Sequence, residues 1–402
     1  MNILLIANKV PFPPNDGGAF ATLNMALGLK NAGAHVTVLA ISTPKHPSTE
    51  QDIPQSISES IRFITTFVNT NISWVKAILN LFFSKTPYNA ERFISSNFKN
   101  QIEVTLKENP FDLIQLEGLY LAPYIETIQN VSKSPIVLRA HNVEWEIWKR
   151  TAQNEKNFLK KIYLSILAQR VKRMELQALR KIDLLVPISE RDKKILEQMG
   201  CSKPSYTCRT GFLLNNNVPV NNEVEFPSVF HLGGLDWIPN REGLLWFLDN
   251  CWHEIVKKIP SIKFYIAGRN ATKDFINRIK KYENVEFLGE VTDSKEFMRS
   301  KAVMVVPLLS GSGMRIKIVE GMSLGKAIVS TSIGAEGIEA TDGKDIMIAD
   351  TANDFTAKTL FLLTNQEICS NLGSSAKEFA SNNLDNSKIV MGLYNFYQNH
   401  LS

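Results

Sequence analysis

The residues best suited to chemistry lie in one stretch: Lys301-Ala-Val-Met-Val-Val-Pro307, Leu308-Leu-Ser-Gly-Ser-Gly313, then Met314-Arg-Ile-Lys-Ile-Val-Glu-Gly-Met-Ser-Leu324. It reads as a buried strand, a Gly-Ser-Gly turn and a helix starting near Gly313. A helix start after a glycine loop offers unpaired N–H groups and the positive end of a dipole to an anion. Arg315 and Lys317 add two positive charges there, an unfavourable placement unless an anion sits against them. Gly313, Lys317 and Glu320 fall on one helix face at i, i+4 and i+7. The Glu320 carboxylate cannot hold a phosphate. It suits vicinal hydroxyls, such as those of a ribose, or an intrahelical ion pair with Lys317. The favoured chemistry is recognition of a diphosphate and a ribose by Gly313, Arg315, Lys317 and Glu320.

Three further constellations stand at the ends of strand-like runs. Pro13-Pro-Asn-Asp-Gly17-Gly18 follows the first run, and its glycines would let the backbone approach a phosphate or sugar, or simply turn the chain. Ile136-Val-Leu-Arg-Ala-His141-Asn142-Val-Glu144-Trp145 puts a histidine and a carboxylate where open α/β sheets bind ligands. His231-Leu-Gly-Gly234-Leu-Asp236-Trp237 repeats the arrangement later, as a phosphate approach or a simple turn. Gly321-Met-Ser-Leu-Gly325-Lys326-Ala327 is not a P-loop: the glycine spacing is one short and no Ser or Thr follows Lys326. A dinucleotide fingerprint is absent after every strand, which argues against a nicotinamide enzyme. The chain also has no D-x-D pair to hold a divalent cation, so Arg315 and Lys317 are expected to neutralise a leaving diphosphate without metal.

These residues need two scaffolds. A chain of 402 residues exceeds one ordinary core. Its first half alternates helical stretches with the runs Ile3–Ala7, Val36–Ile41, Asp112–Leu116, Ile136–Ala140 and Leu184–Ile188. These runs are continuously apolar, as strands covered on both faces are. A second series follows at Val229–Leu232, Ile262–Ala267, Val285–Leu288, Ala302–Pro307 and Ala327–Ser330. Between them the polar, Pro-bounded text from Leu213 to Pro227 reads as a linker. The expected architecture is α/β: two Rossmann-like doubly wound domains facing across a cleft, over 1–213 and 214–386, with a closing helix over 387–402.

The net charge of +5 favours anionic partners without choosing among them. Lys149 to Lys181 is a basic helical segment, with Phe158, Ile162, Tyr163, Ile166 and Leu167 at helical spacing. It reads either as a solvated face over a packed stripe or as contact with an anionic membrane surface; no nucleic-acid module accompanies it. The apolar run Trp74–Phe83 is too short to span a bilayer, and the first strand is too short for a signal-peptide core. The four cysteines have no metal or disulfide spacing. A cytoplasmic protein, peripheral on the inner face of the membrane if the basic segment meets lipid, is expected.

Taken together, the strand-Gly-Gly-helix opening, the His141-Asn142-Val-Glu144 segment and the Gly311-to-Glu320 block resemble the retaining glycosyltransferases of family 4, the group-1 glycosyltransferases with the GT-B fold, in their bacterial surface-polysaccharide branch. The resemblance implies a nucleoside-diphosphate-sugar donor (UDP or GDP), no cofactor, and transfer of a hexose-type sugar with retention to a hydroxyl of a glycan or lipid-linked acceptor. It implies that Glu320 binds the donor ribose as the second Glu of the E-x₇-E motif, whose first Glu is replaced by Ser312. It also implies that His141 lies near the reacting carbon, that Leu288-Gly-Glu-Val291 contacts the base, and that Arg315 and Lys317 take the diphosphate, since Gly234 stands where the family's Arg is expected. A sugar-nucleotide epimerase on the same fold and a non-catalytic polysaccharide-assembly protein are the alternatives.

Overall fold

The structure, a computed structural model, describes residues 1–14, 16–155, 157–212, 223–311 and 314–401. The chain divides into two units, Met1–Gly211 with Asn386–Ser402, and Phe212–Asp385. The expected linker from Leu213 lies largely outside the described residues.

The first unit is built on six parallel strands: β1 (Asn2–Ala7), β2 (His35–Ser42), β3 (Arg62–Phe67), β4 (Leu113–Glu117), β5 (Ile136–Ala140) and β6 (Leu184–Pro187). Their order across the sheet is β3-β2-β1-β4-β5-β6. Alternate residues feed opposite cores, because successive side chains on a strand point to opposite faces. Leu4, Ile6, Ile114 and Leu116 join one apolar cluster; Ile3, Leu5, Leu113 and Val137 join the other. That double cover explains why these strands read as unbroken apolar runs. The edge strand β3 escaped the pattern: Arg62-Phe-Ile-Thr-Thr-Phe67 is polar at half its positions and only Phe63 is buried.

The C-terminal helix Asn386–Leu401 belongs to this unit, burying Val390, Leu393 and Tyr397 in its second cluster. It lies so close to the Gly17–Asn31 helix that a Cβ on Gly28 would come within 2.6 Å of Val390 Cγ2. Asn386 Nδ2 also donates to the Asn24 carbonyl at 2.8 Å.

The basic segment forms two helices, Glu144–Asn154 and Phe158–Lys181. Of the two readings of this segment, the packed stripe holds only in part. Leu164, Leu167, Ala168 and Val171 are buried, whereas Phe158, Ile162 and Ile166 face outward. Two stripes are present on this helix, and the apolar spacing alone did not tell which one meets the core.

The second unit repeats the plan with β7 (Glu225–Leu232), β8 (Phe264–Ala267), β9 (Val285–Gly289), β10 (Lys301–Val306), β11 (Ala327–Ser330) and the short β12 (Met347–Ile348). The order is β12-β11-β10-β7-β8-β9, again parallel throughout. The chain winds outward from β7 on one side and from β10 on the other. The switch point of the winding therefore lies between these two strands, and ligands of open α/β sheets bind outside the carboxyl ends there. In the first unit the same argument selects β1 and β4.

Candidate functional site

In the second unit the loops after β7 and β10 both open at the switch point. Gly233 and Gly234 follow β7, and the Gly234 carbonyl accepts from Asn240 Nδ2 at 2.8 Å. The loop after β10 runs to Gly311, whose φ of +124° disfavours any side chain. A Cβ on Gly311 would lie 2.5 Å from Arg315 Nη2 and 3.1 Å from Trp237 Cη2. The glycine thus makes room for a stack: the Arg315 guanidinium lies 4.9 Å from the centre of the Trp237 ring. Stacking on an indole fixes the plane of a guanidinium while leaving its N–H edge directed around the ring. Burial lowers the Arg315 pKa from its ordinary value, yet a guanidinium remains charged in proteins.

The helix expected from Gly313 begins later, at Ile316, with Arg315 as its cap residue in extended conformation. Arg315 therefore sits before the first turn, with its side chain on Trp237. Ile318, Val319 and Met322 fix the helix by burying its inner face. Lys317 and Glu320 share one face and form an ion pair at 2.7 Å, with Glu320 nearly buried and Lys317 partly exposed. Gly313 and Ser312 lie outside the described residues. Val291 follows the edge strand β9, at the same end of the sheet as Gly234 and Arg315 but two strands from β7. Lys326 is a structural group: its Nζ donates to the carbonyls of Arg299 and Lys301, both at 2.8 Å, and burial pushes its pKa down to about 8.

The first unit gathers charge at the carboxyl ends of β4 and β5. Glu117, the last residue of β4, is buried opposite Arg139 of β5. Its Oε2 lies 2.9 Å from both Arg139 Nη1 and His141 Nε2, and accepts from Thr22 Oγ1 at 3.0 Å. Gln115 holds the other oxygen, and Tyr397 of the C-terminal helix holds Gln115. Burial alone would raise the Glu117 pKa; Arg139 first, then His141 and Gln115, overcome it and set it at about 2. His141 is thus carried by an ionised, fully partnered carboxylate. Gly17 and Gly18 open the helix after β1, but Asp16 caps its N-terminus, accepting from Ala19 N at 2.9 Å and from Lys9 Nζ at 2.6 Å. An anion-binding reading of that turn must contend with a carboxylate already in place.

Glu117, Arg139 and Trp237 were not singled out in the sequence. The signal for the first two was there: Gln115, Glu117 and Arg139 are polar residues inside otherwise apolar runs. A polar residue so placed must find partners. Trp237 gave no such signal, since its partner is far away in the chain.

Residues 226–365 match the family described as Glycosyl transferases group 1. The matched stretch covers most of the second unit, which is thus similar to a group 1 glycosyltransferase domain. Over its whole length the chain resembles solved GT-B structures. Anabaena HepE in complex with UDP superposes with a TM-score of 0.69 over 99% of this chain and 100% of that one, at 15% identity. Sucrose-phosphate synthase from Thermosynechococcus elongatus gives a TM-score of 0.69 over 100% and 99%, also at 15% identity. The chain therefore has the GT-B fold. In sequence it is 23% identical to an uncharacterized 44.6 kDa protein in the cps region of Klebsiella pneumoniae, over 98% of both chains. It is 34% identical to an uncharacterized glycosyltransferase of Methanocaldococcus jannaschii, over 29% of this chain and 33% of that one. The stacked Arg315, the Lys317–Glu320 pair, Gly234 and Val291 all fall within the matched glycosyltransferase domain.

Proposed function

We propose that this protein transfers a hexose-type sugar, with retention, from a UDP- or GDP-sugar to a hydroxyl of a glycan or lipid-linked acceptor during polysaccharide synthesis. The observation that carries the reading is the Arg315 guanidinium stacked on Trp237 at the β7/β10 switch point, one turn from Glu320. A planar cation there suits a diphosphate, and a carboxylate one turn deeper suits ribose hydroxyls. The likeness to HepE, crystallised with UDP, supports a nucleotide donor; the relative from a cps region supports a polysaccharide product.

In this reading Arg315 and Lys317 stabilise the leaving nucleoside diphosphate, which removes the need for a metal. The reading assigns His141 to the reacting carbon and Gly17, Gly18, Gly234, Gly313 and Val291 to donor binding. No enzyme nucleophile is assigned, so displacement occurs on the face the nucleotide leaves. A lipid-linked acceptor would place the protein at the inner face of the cell membrane.

The test is to incubate purified protein with UDP-, GDP- and ADP-sugars, with and without a glycolipid extract, and to measure free nucleoside diphosphate. Release from one donor, stimulated by extract and indifferent to EDTA, supports the reading. Donor consumed without acceptor dependence points to an epimerase, and no consumption by folded protein points to an assembly role.

A further inference from the structure

One helix of the first unit is inside out. The Trp74–Phe83 helix buries only Ala77 and the polar Asn80. Trp74, Phe82 and Phe83 are 80%, 73% and 85% exposed, and Val75, Ile78 and Leu79 are exposed beside them. A helix on a globular surface ordinarily turns its apolar stripe inward. Here polar contacts hold the inner side instead. Asn80 Nδ2 donates to the Thr86 carbonyl at 2.9 Å and to Glu91 Oε2 at 2.6 Å. Arg170 donates to the carbonyls of Asn80 at 3.0 Å and Leu81 at 2.6 Å. The outward apolar face is thereby fixed in place rather than left by poor packing.

Arg170 belongs to the Phe158–Lys181 helix, so the two helices meet at the C-terminal end of the shorter one. They are neighbours at its other end too: Ser73 N donates to Tyr88 Oη at 2.9 Å, and Tyr88 is close enough to Tyr163 to help raise its pKa, after burial. The first turn of the longer helix adds Phe158 and Leu159, 73% and 75% exposed, and Ile162 and Ile166 continue the outward stripe. Isolated exposed apolar residues mean little, but large apolar side chains gathered on two helices that meet mark an interaction surface.

Charge decides its occupant. Residues 72–87 and 157–173 together contain seven Lys or Arg and no Asp or Glu. Lys76, Lys85, Lys160 and Lys161 are exposed around the apolar face, Lys160 with Glu155 as a partner at 2.6 Å. In a twofold contact between copies the face would meet itself, setting these cations against their own images. An anionic lipid surface instead neutralises them and takes up the aromatic side chains at the headgroup level. Among the described residues no helix is long and apolar enough to cross a membrane, so such contact would lie in the plane of the surface.

We propose that the outward faces of the Trp74–Phe83 helix and the first turns of the Phe158–Lys181 helix form a wedge that docks the protein on an anionic lipid bilayer. This deepens the reading of a lipid-linked acceptor by naming the surface that meets its membrane, and the test does not depend on turnover.

The test is sedimentation of the full chain with phosphatidylcholine vesicles, with and without about a third phosphatidylglycerol. Binding is expected with the anionic vesicles, with a blue shift of tryptophan emission, and little with the neutral ones. Trp74→Ser with Phe83→Ser should lower bound protein about tenfold or more, and Phe158→Ser with Leu159→Ser likewise. Lys76→Glu with Lys85→Glu and Lys161→Glu should abolish the preference for anionic lipid. All replaced residues are exposed, so folding is retained, which unchanged melting and nucleotide affinity would verify. Absence of binding, equal binding by the variants, or a dimer that the same serine substitutions dissociate would overturn the proposal. Loss of donor turnover with vesicle binding intact would count against the transferase reading alone.

Discussion

Oε2 of Glu117 lies 2.9 Å from Nε2 of His141, and the carboxylate that makes this contact is ionised across the working pH range. An ionised carboxylate can only accept, so Nε2 of His141 donates to it. The pair fixes which ring nitrogen of a histidine at the carboxyl end of the sheet faces the carboxylate. Because Glu117 also neutralises Arg139, its two duties are separable by substitution.

Glu117→Ala leaves the Arg139 guanidinium buried without its counter-charge and should cost about 3–5 kcal/mol of stability. His141→Asn leaves the Glu117–Arg139 pair intact and should barely move the melting temperature, while turnover falls about a hundredfold or more. The Glu117 pKa is depressed from 4.5 to about 2, so its contribution to stability is complete above pH 4.5 and is lost as pH falls toward 2. Acid unfolding followed by circular dichroism should therefore show a steep loss in that window for the wild type, and a shallower one for Glu117→Ala. Equal acid profiles would count against the pairing.

Gly311 makes room for the Arg315–Trp237 contact, and so for the proposed diphosphate site, without contributing a group of its own. Its substitution by Ala forces a Cβ to within 2.5 Å of Arg315 Nη2, so the guanidinium must shift from its place over Trp237. The expected outcome is a loss of about tenfold or more in UDP or GDP affinity, close to that of Arg315→Ala, since a charge-assisted contact of this kind is worth about 1.5–3 kcal/mol. Titration calorimetry on both variants checks it. Unchanged affinity in Arg315→Ala would remove the diphosphate site from this loop.

What the sequence made legible follows the physics of burial. Strands covered on both faces announce themselves, so β1, β5 and β11 fell close to their expected ends; the half-polar β3 and the two-residue β12 did not. Helix starts depend on one backbone angle, and Arg315 in extended conformation moved the start from near Gly313 to Ile316. Local charge patterns were readable: the alternative of a Lys317–Glu320 pair is what the side chains form. Long-range partners were not. Nothing near Trp237 points to Arg315, and nothing near Gln115 points to Tyr397. The outward turn of Trp74–Phe83 depends on Arg170, ninety positions beyond the Asn80 carbonyl it grips.

The Lys317–Glu320 pair need not exclude a ribose, and two single substitutions separate the two roles. With Lys317 partly exposed, the pair is worth only about 0.2–0.5 kcal/mol to folding, so Glu320→Gln should leave the melting temperature within a few degrees. If the carboxylate holds ribose hydroxyls, Glu320→Gln weakens UDP or GDP about tenfold and erases the preference over the 2′-deoxy nucleotide. Lys317→Met should keep that preference. If Glu320→Gln binds both nucleotides as the wild type does, its carboxylate serves the helix alone.

Glu175 gives the protein an alkaline weakness. Its oxygens accept from the Glu144 and Trp145 amides at 3.1 and 3.3 Å, capping the helix that follows His141. Burial raises its pKa to about 8, despite those two amides, and Glu144 and Asp192 nearby add to the rise. An acid whose pKa is raised from 4.5 in the folded state stabilises the fold fully below pH 4.5, and that contribution is lost as pH rises through about 8. Thermal unfolding of the wild type should accordingly weaken between pH 5 and 9 by up to a few kcal/mol. Glu175→Gln mimics the protonated acid, so it should match the wild type near pH 5 and exceed its melting temperature at pH 9. Parallel pH profiles for the two proteins would show that the Glu175 carboxyl ionises in the fold as readily as it does in water.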